Sequence, residues 1–214
     1  MVARLKKTRP AGTAVLALAV LWLCLASCSD PYSASIENIN FREDGEGFRR
    51  FYADIPGYYN RGFYYFLSGS RQEPMMAVQS QIKKISGFDD VGFGVLFCMQ
   101  DNGDYYRLLI KTDGTYSVTR KSGELKQPLI DWTASDHLEQ GYDVLNEIMI
   151  TYDYIQQRFA IFFNEVPETA FIDASFSGGC SGFYAIIGPE QLEHFPDEPV
   201  DIRFRQILPI PDPQ

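Results

Sequence analysis

Thiols, imidazoles and carboxylates are the groups on this chain with chemistry of their own, and their spacing argues against a catalytic centre. The two histidines, His137 and His194, lie far apart and far from paired cysteines, which does not suit a zinc site. Asp101, Asn102 and Asp104 cluster oxygen ligands of the kind a hard cation takes. The same three residues are what a tight hairpin turn requires, so no metal and no cofactor are expected. Glycosidic hydrolysis needs two carboxylates about 5 to 9 Å apart, which on one strand means acids at i and i+2 or i+4. Glu147 alternates with Met149 and Thr151, and Asp201 with Arg203 and Arg205, so neither has an acidic partner along its face. The remaining acidic groups, Asp89-Asp90, Asp101 with Asp104, and Glu190 with Glu193, sit among turn residues and read as solvated. No nucleophile elbow, phosphate loop or metal-binding helix motif occurs. The expectation is a protein that is not an enzyme.

Aromatic and planar polar groups offer binding chemistry instead, because ring faces stack on apolar surfaces while the groups beside them supply directed hydrogen bonds. Tyr105, Arg107 and Tyr116 are the candidate ligand-binding residues, since they are read as opposite the apolar stripes of two successive strands. A second aromatic cluster, Tyr58, Tyr59, Tyr64 and Tyr65, surrounds Arg61. Trp132 reads as a structural residue that packs a loop against a sheet edge.

The elements that must position these groups are strands. Met76, Val78 and Ile82 alternate with Gln79, Gln81 and Lys83, a period of two that gives a core face and a water face. Phe93, Val95, Phe97 and Met99 are placed on one face, and Tyr106, Leu108 and Ile110 oppose Tyr105, Arg107 and Lys111. Ile148, Ile150 and Tyr152, then Phe159, Ile161 and Phe163, then Ile202 and Phe204, repeat the pattern. Asn102-Gly103 and Asp113-Gly114 are hairpin dipeptides between such runs, and a third tight turn is expected near Asp153 to Gln156. Pro209, Pro211 and Pro213 end the pairing and leave 209–214 as a tail.

The first thirty residues follow a different logic. Arg4, Lys6, Lys7 and Arg9 form a basic start, and Ala14 to Leu25 is an uncharged apolar run. That run falls short of the about 20 residues a bilayer core requires, so it reads as a signal helix that is cleaved. Leu25-Ala26-Ser27-Cys28 ends it with an apolar residue, two small ones and a cysteine, the pattern of a lipobox. The expectation is cleavage after Ser27, lipidation of the Cys28 thiol and a membrane-held lipoprotein. Each buried methylene contributes about 0.8 kcal/mol, and two or three acyl chains together hold stably. Residues 28–35 then form the lipidated cysteine and a short polar tether, and 36–208 the folded domain, about 185 residues in the mature chain and the size of a single domain. Ser29, rather than Asp, after the lipidated residue points to the outer membrane of the cell envelope.

Loss of the four N-terminal cations leaves the mature chain more acidic than the −9 of the whole. That balance excludes nucleic acid as a partner, because such binding draws its affinity from phosphate neutralisation. With Cys24 removed and Cys28 acylated, Cys98 and Cys180 remain in an oxidising compartment, either as one disulfide or as two buried thiols.

The order of several blocks between about residues 60 and 207 resembles the concanavalin A-like jelly-roll group that contains laminin G-like modules. They are Gly62-Phe63-Tyr64-Tyr65, Gly92 to Phe97, Asp104 to Ile110 followed by Asp113-Gly114, and Leu129 to Thr133. Asn146-Glu147-Ile148, Phe162-Phe163-Asn164, Asp173 to Gly182 and Val200 to Ile207 complete the series. Glu165 departs from the pattern where glycine is usual, which suggests a longer or conformationally compromised turn. The resemblance implies an all-β fold, an antiparallel two-sheet jelly-roll sandwich, with a face that receives a carbohydrate or an envelope protein. Such sandwiches also host glycosidases and purely structural modules, so a glycoside-processing enzyme and a structural or host-contact surface lipoprotein stand as alternatives.

Overall fold

The computed structural model describes residues 41–53, 62–67, 77–186 and 199–207. The expected signal helix, Cys28, the expected tether, the Tyr58 to Arg61 group, Glu190, Glu193, His194 and the proline-rich tail lie outside them. Among the described residues there is no helix, and thirteen strands form two antiparallel sheets. They are β1 (Phe41–Glu43), β2 (Arg49–Ala53), β3 (Gly62–Leu67), β4 (Ala77–Ser86), β5 (Phe93–Met99), β6 (Tyr105–Ile110) and β7 (Thr115–Ser122). After these come β8 (Leu125–Ala134), β9 (Asn146–Asp153), β10 (Arg158–Phe163), β11 (Val166–Ile172), β12 (Cys180–Ile186) and β13 (Val200–Ile207).

The first sheet runs β1-β2-β13-β4-β9-β10-β11 and the second β3-β12-β5-β6-β7-β8. The last strand thus enters the first sheet between β2 and β4, so its pairing is non-local, while β5 to β8 form a local meander. The expected turns make that meander. Gly103 (φ 80°) and Gly114 (φ 79°) take left-handed conformations in the hairpins that flank β6. The third turn is held by Asp153 Oδ1, which accepts from the amides of Ile155 and Gln156.

Period-two patterning turns apolar residues of both sheets inward, as in the strict alternation of β9. Ring contacts then join the layers: Phe183 stacks on Phe204 at 5.0 Å, Tyr116 meets Phe163 edge-on at 5.0 Å and Phe97 meets Phe159 at 5.5 Å. Each fully buried large side chain contributes about 1.5 to 3 kcal/mol. At one end the Tyr106 hydroxyl donates to Asp173 at 2.6 Å, and the same carboxylate pairs with Arg120 at 2.6 Å. Burial opposes ionisation of Asp173, but bonds from Tyr106 and Ser175 together with the Arg120 charge hold its carboxyl below the ordinary value. At another point Asn146 exchanges hydrogen bonds with the backbone of Glu139, and Asn164 donates to the carbonyl of His137. These two asparagines pin the loop before β9.

Two alternatives left open by the sequence are resolved here, and one expectation, for Met99, is corrected. Of the two outcomes open for the β10–β11 turn, the conformational compromise is the one found: Phe163 pairs directly with Val166, and Asn164 (φ 50°) and Glu165 (φ 70°) both take the left-handed conformation a two-residue turn demands. Met99 does not share a face with Phe93, Val95 and Phe97. Cys98 takes a left-handed conformation (φ 51°) and points into the core, which sends Met99 to the outer face. For the same reason no disulfide joins Cys98 and Cys180. Both are buried thiols, and although Cys180 pairs with Met99, it faces outward while Cys98 faces the core. Burial pushes the Cys98 thiol up to about 12, which leaves it unreactive.

Candidate binding face

The outer surface of the β5–β8 meander carries the candidate site. Alternation places Tyr105, Arg107 and Leu109 of β6 outward, with Lys111 just beyond the strand, and Tyr106, Leu108 and Ile110 inward. On β7, Ser117 and Thr119 face out, as does Lys121, which lies opposite Tyr105 in the ladder. The expected placement of Tyr105 and Arg107 therefore matches the sheet. Tyr116 does not belong with them: it is 3% exposed, sits in the core and packs on Phe163. The one-residue phase of β7 set by the Asp113-Gly114 turn gives Tyr116 and Val118 to the interior, so Tyr116 is removed from the binding face.

The decisive side chain is Trp132. It is not a loop residue packed at an edge, but a strand residue of β8, 45% exposed and lining a cleft of ≈ 320 Å³. Register irregularities between β7 and β8 explain its aim. Tyr116 faces Thr133 and Val118 faces Ile130, so Asp131 and Trp132 together oppose Ser117, and such a bulge redirects side chains. The indole tip reaches back across the sheet toward the start of β5. A Cβ on Gly92 would lie 3.2 Å from it and 3.1 Å from Leu109, so a bare glycine makes room for both.

The cleft is walled by Arg107, Leu109 and Lys111 from the β6 side, Ser117 and Thr119 from β7, and Pro128, Ile130, Asp131 and Trp132 from β8, with Asp90, Val91 and Gly92 closing the end. Asp90 was expected to be a solvated turn residue, as was its neighbour Asp89. The latter accepts hydrogen bonds from Thr112 at 3.2 Å and from the Tyr142 hydroxyl at 2.7 Å, which fix the turn that presents Asp90.

Three cations on this face rest on aromatic rings. The Arg107 guanidinium lies 5.2 Å from the Tyr184 ring centre and donates to its hydroxyl at 3.3 Å. Lys111 Nζ stands 4.2 Å over Trp132, and Lys121 Nζ 5.6 Å over Tyr105 while donating to the carbonyl of Gly103 at 2.9 Å. The Arg107 Nε is buried without a hydrogen-bond partner. Below them Leu96, Met99, Leu109, Cys180 and Tyr184 form a small outward apolar cluster against which Tyr105 packs.

The hairpin carboxylate considered for a cation is already used. Asp104 accepts from the Gly123 amide at 2.6 Å, from Asn102 at 2.9 Å and from Ser122 at 3.3 Å. Burial works against its ionisation, and these bonds with the Lys121 charge outweigh it, so its carboxyl lies below the ordinary value.

No protein-family profile and no curated protein matches the sequence. Solved structures do match in shape. A carbohydrate-binding module of family 66 from Bacillus subtilis is 13% identical with a TM-score of 0.53, over 74% of this chain and 92% of that one. The Bacillus licheniformis β-glucanase is 8% identical with a TM-score of 0.55, over 79% and 81%. A family 16 endo-glucanase from Bacteroides ovatus is 10% identical with a TM-score of 0.56, over 78% and 84%. The fold is an all-β, antiparallel two-sheet jelly-roll sandwich. Such neighbours include non-catalytic modules and glycoside hydrolases alike, so shape does not choose between them.

Proposed function

We propose that this protein is an envelope lipoprotein, lipidated at Cys28, whose β-sandwich binds a glycan in the cleft on the outer face of β6–β8. The observation that carries the reading is the exposed Trp132, held on a bulged edge strand among hydroxyls and planar charged groups. An indole face stacks on the apolar side of a sugar ring, and Ser117, Thr119, Asp131 and Arg107 offer the hydrogen bonds that orient its hydroxyls. The jelly-roll carbohydrate-binding module among its structural neighbours supports the same reading.

The test is a glycan array and affinity electrophoresis on the full-length protein in detergent. Trp132→Ala is expected to weaken binding at least about tenfold, about 1.4 kcal/mol, with the fold intact. Undiminished binding would move the site elsewhere, and silence across the array would leave an envelope protein as the ligand. The anchor is checked separately by labelling cells with radioactive palmitate: Cys28→Ala should abolish incorporation, and a labelled variant would remove the lipoprotein assignment.

Asp90 and Asp131 both line the cleft, which supports a second reading, a glycoside-processing enzyme. Release of reducing ends from a bound polysaccharide, lost in Asp90→Asn and Asp131→Asn, would establish it. Binding without product would leave a binding module.

A further inference from the structure

We infer that the glycan is an acidic polysaccharide, recognised through carboxylate or sulfate groups along its chain; this rests on the glycan-binding reading above. The whole chain has a formal charge of −9, so a face whose cations form no ion pairs is a local exception. Arg107, Lys111 and Lys121 line the outer face, and Lys126 faces Lys121 across the β7–β8 ladder. Against them the cleft sets two carboxylates, Asp90 and Asp131.

The state of these cations matters more than their number. Arg50, Lys83, Arg120 and Arg203 all make ion pairs with carboxylates. Among the described residues, Arg107, Lys111 and Lys121 make none and lie instead over aromatic rings. A ring face attracts a cation by about 0.5 to 1 kcal/mol at exposed sites and holds it in place without neutralising it. Asp104 and Asp113 lie within the electrostatic reach of Lys121 and Lys111 but form no ion pair with them, so the charge, that of Arg107 above all, remains available to a ligand.

Arg107 goes further: its Nε is buried and lacks an acceptor, as does that of Arg203, but the Arg203 guanidinium is otherwise paired with Asp44 and Asp201 while that of Arg107 meets no carboxylate. An orphaned buried donor is costly unless something completes it. The guanidinium fork is shaped for planar, two-pronged contact with an anionic oxygen pair, and Arg107 forms part of the cleft wall. Arg107 and Lys111 stand four residues apart, about 13 Å along an extended chain, and Lys121 lies beyond Arg107 beside Tyr105. Charges spread along a line fit a repeating anionic polymer better than a single small ion.

The experiment is affinity electrophoresis of the full-length protein in detergent, at low and at physiological salt. Its probes are three soluble polysaccharides: a neutral glucan, polygalacturonate and dextran sulfate. The expected result is at least about tenfold tighter binding to an acidic polymer than to the neutral one, weakened by salt. The polygalacturonate and dextran sulfate arms tell carboxylate from sulfate. Arg107→Gln should lose at least about tenfold on the acidic polymer, and Arg107→Lys should recover part of it. Equal or stronger binding to the neutral glucan, with Trp132→Ala still disruptive, would overturn the inference and leave the glycan-binding reading standing. Binding to none of the three and to no glycan on the array would overturn both. Should Arg107→Gln fail to fold, Lys111→Gln, at a half-buried residue that lines the cleft, serves in its place with the same expected direction.

Discussion

The two sheets of this sandwich present outer faces of opposite character. On the β2-β13-β4-β9 face, charges find partners within the protein. Arg50 meets Asp201 through two bonds of 2.9 and 2.7 Å, Arg203 reaches Asp44 at 3.3 Å and Lys83 pairs with Asp143 at 2.8 Å. Gln79 and Gln81 both donate to Glu147, and Gln81 in turn accepts from Arg205. Cations lie over rings on both faces, Arg50 over Tyr52 and Arg205 over Phe48 on the first, but on the β5–β8 face Arg107, Lys111 and Lys121 do so without an ion pair, an indole is exposed and a cleft remains open. One Nε on each face, Arg203 on the first and Arg107 on the second, is buried without an acceptor, but the Arg203 guanidinium is held by Asp44 and Asp201, whereas Arg107 meets no carboxylate and borders an open cleft.

Predictions that break or sharpen this contrast begin with a third kind of cation. Lys84 also lies near rings, 5.8 Å from those of Phe93 and of Tyr142, but it is 1% exposed and donates to the carbonyl of Phe88. Burial pushes its ammonium down to about 8, against the opposing pull of Asp89 and Asp90. With the folded value depressed, the unfolded chain binds more protons between pH 8 and 10.5, so the Lys84 contribution to stability rises with pH across that window. Denaturant titrations of the wild type and Lys84→Met should therefore differ most below pH 8, the gap narrowing by on the order of 3 kcal/mol by pH 10.5. A constant gap would mean that Lys84 is not held charged at a cost.

Asp201→Asn tests the closed face itself. Its carboxylate is 5% exposed and tied to Arg50, so the variant should lose about 2 kcal/mol of stability and no glycan affinity. Loss of affinity would show that the closed face also serves the ligand. Trp132→Ala is the mirror experiment, costing about 1.4 kcal/mol of binding while the denaturation midpoint stays nearly fixed. The smallest effect belongs to Glu165→Gly. Its φ of 70° suits glycine, and the exchange should stabilise the fold by up to about 1 kcal/mol, seen as a higher melting temperature with binding unchanged.

Much of the fold was legible because strand alternation and hairpin dipeptides are local signals. Tyr106, Leu108 and Ile110 were assigned inward and Tyr105 and Arg107 outward from period two alone, and the sheet agrees. The failures cluster where the period breaks. Cys98 inserts a left-handed residue into β5, β8 slips register against β7, and in β7 a one-residue error in phase moved Tyr116 from the core to the surface. A bulge has no composition that announces it, since it arises when two strands and the layer beneath them are fitted together.

By itself, then, the sequence determined the all-β architecture, the turns of the meander, the acidic balance and the Tyr105–Arg107 face, because each depends on neighbours within a few residues. Tertiary structure alone decided that Cys98 and Cys180 point to opposite faces, that Asp90 joins the cleft and that Trp132 lies open above Gly92. Those outcomes depend on where β12, the β4–β5 turn and β8 come to rest beside β5 to β7. They are set by long-range register and by packing against the opposite sheet, which no local pattern records.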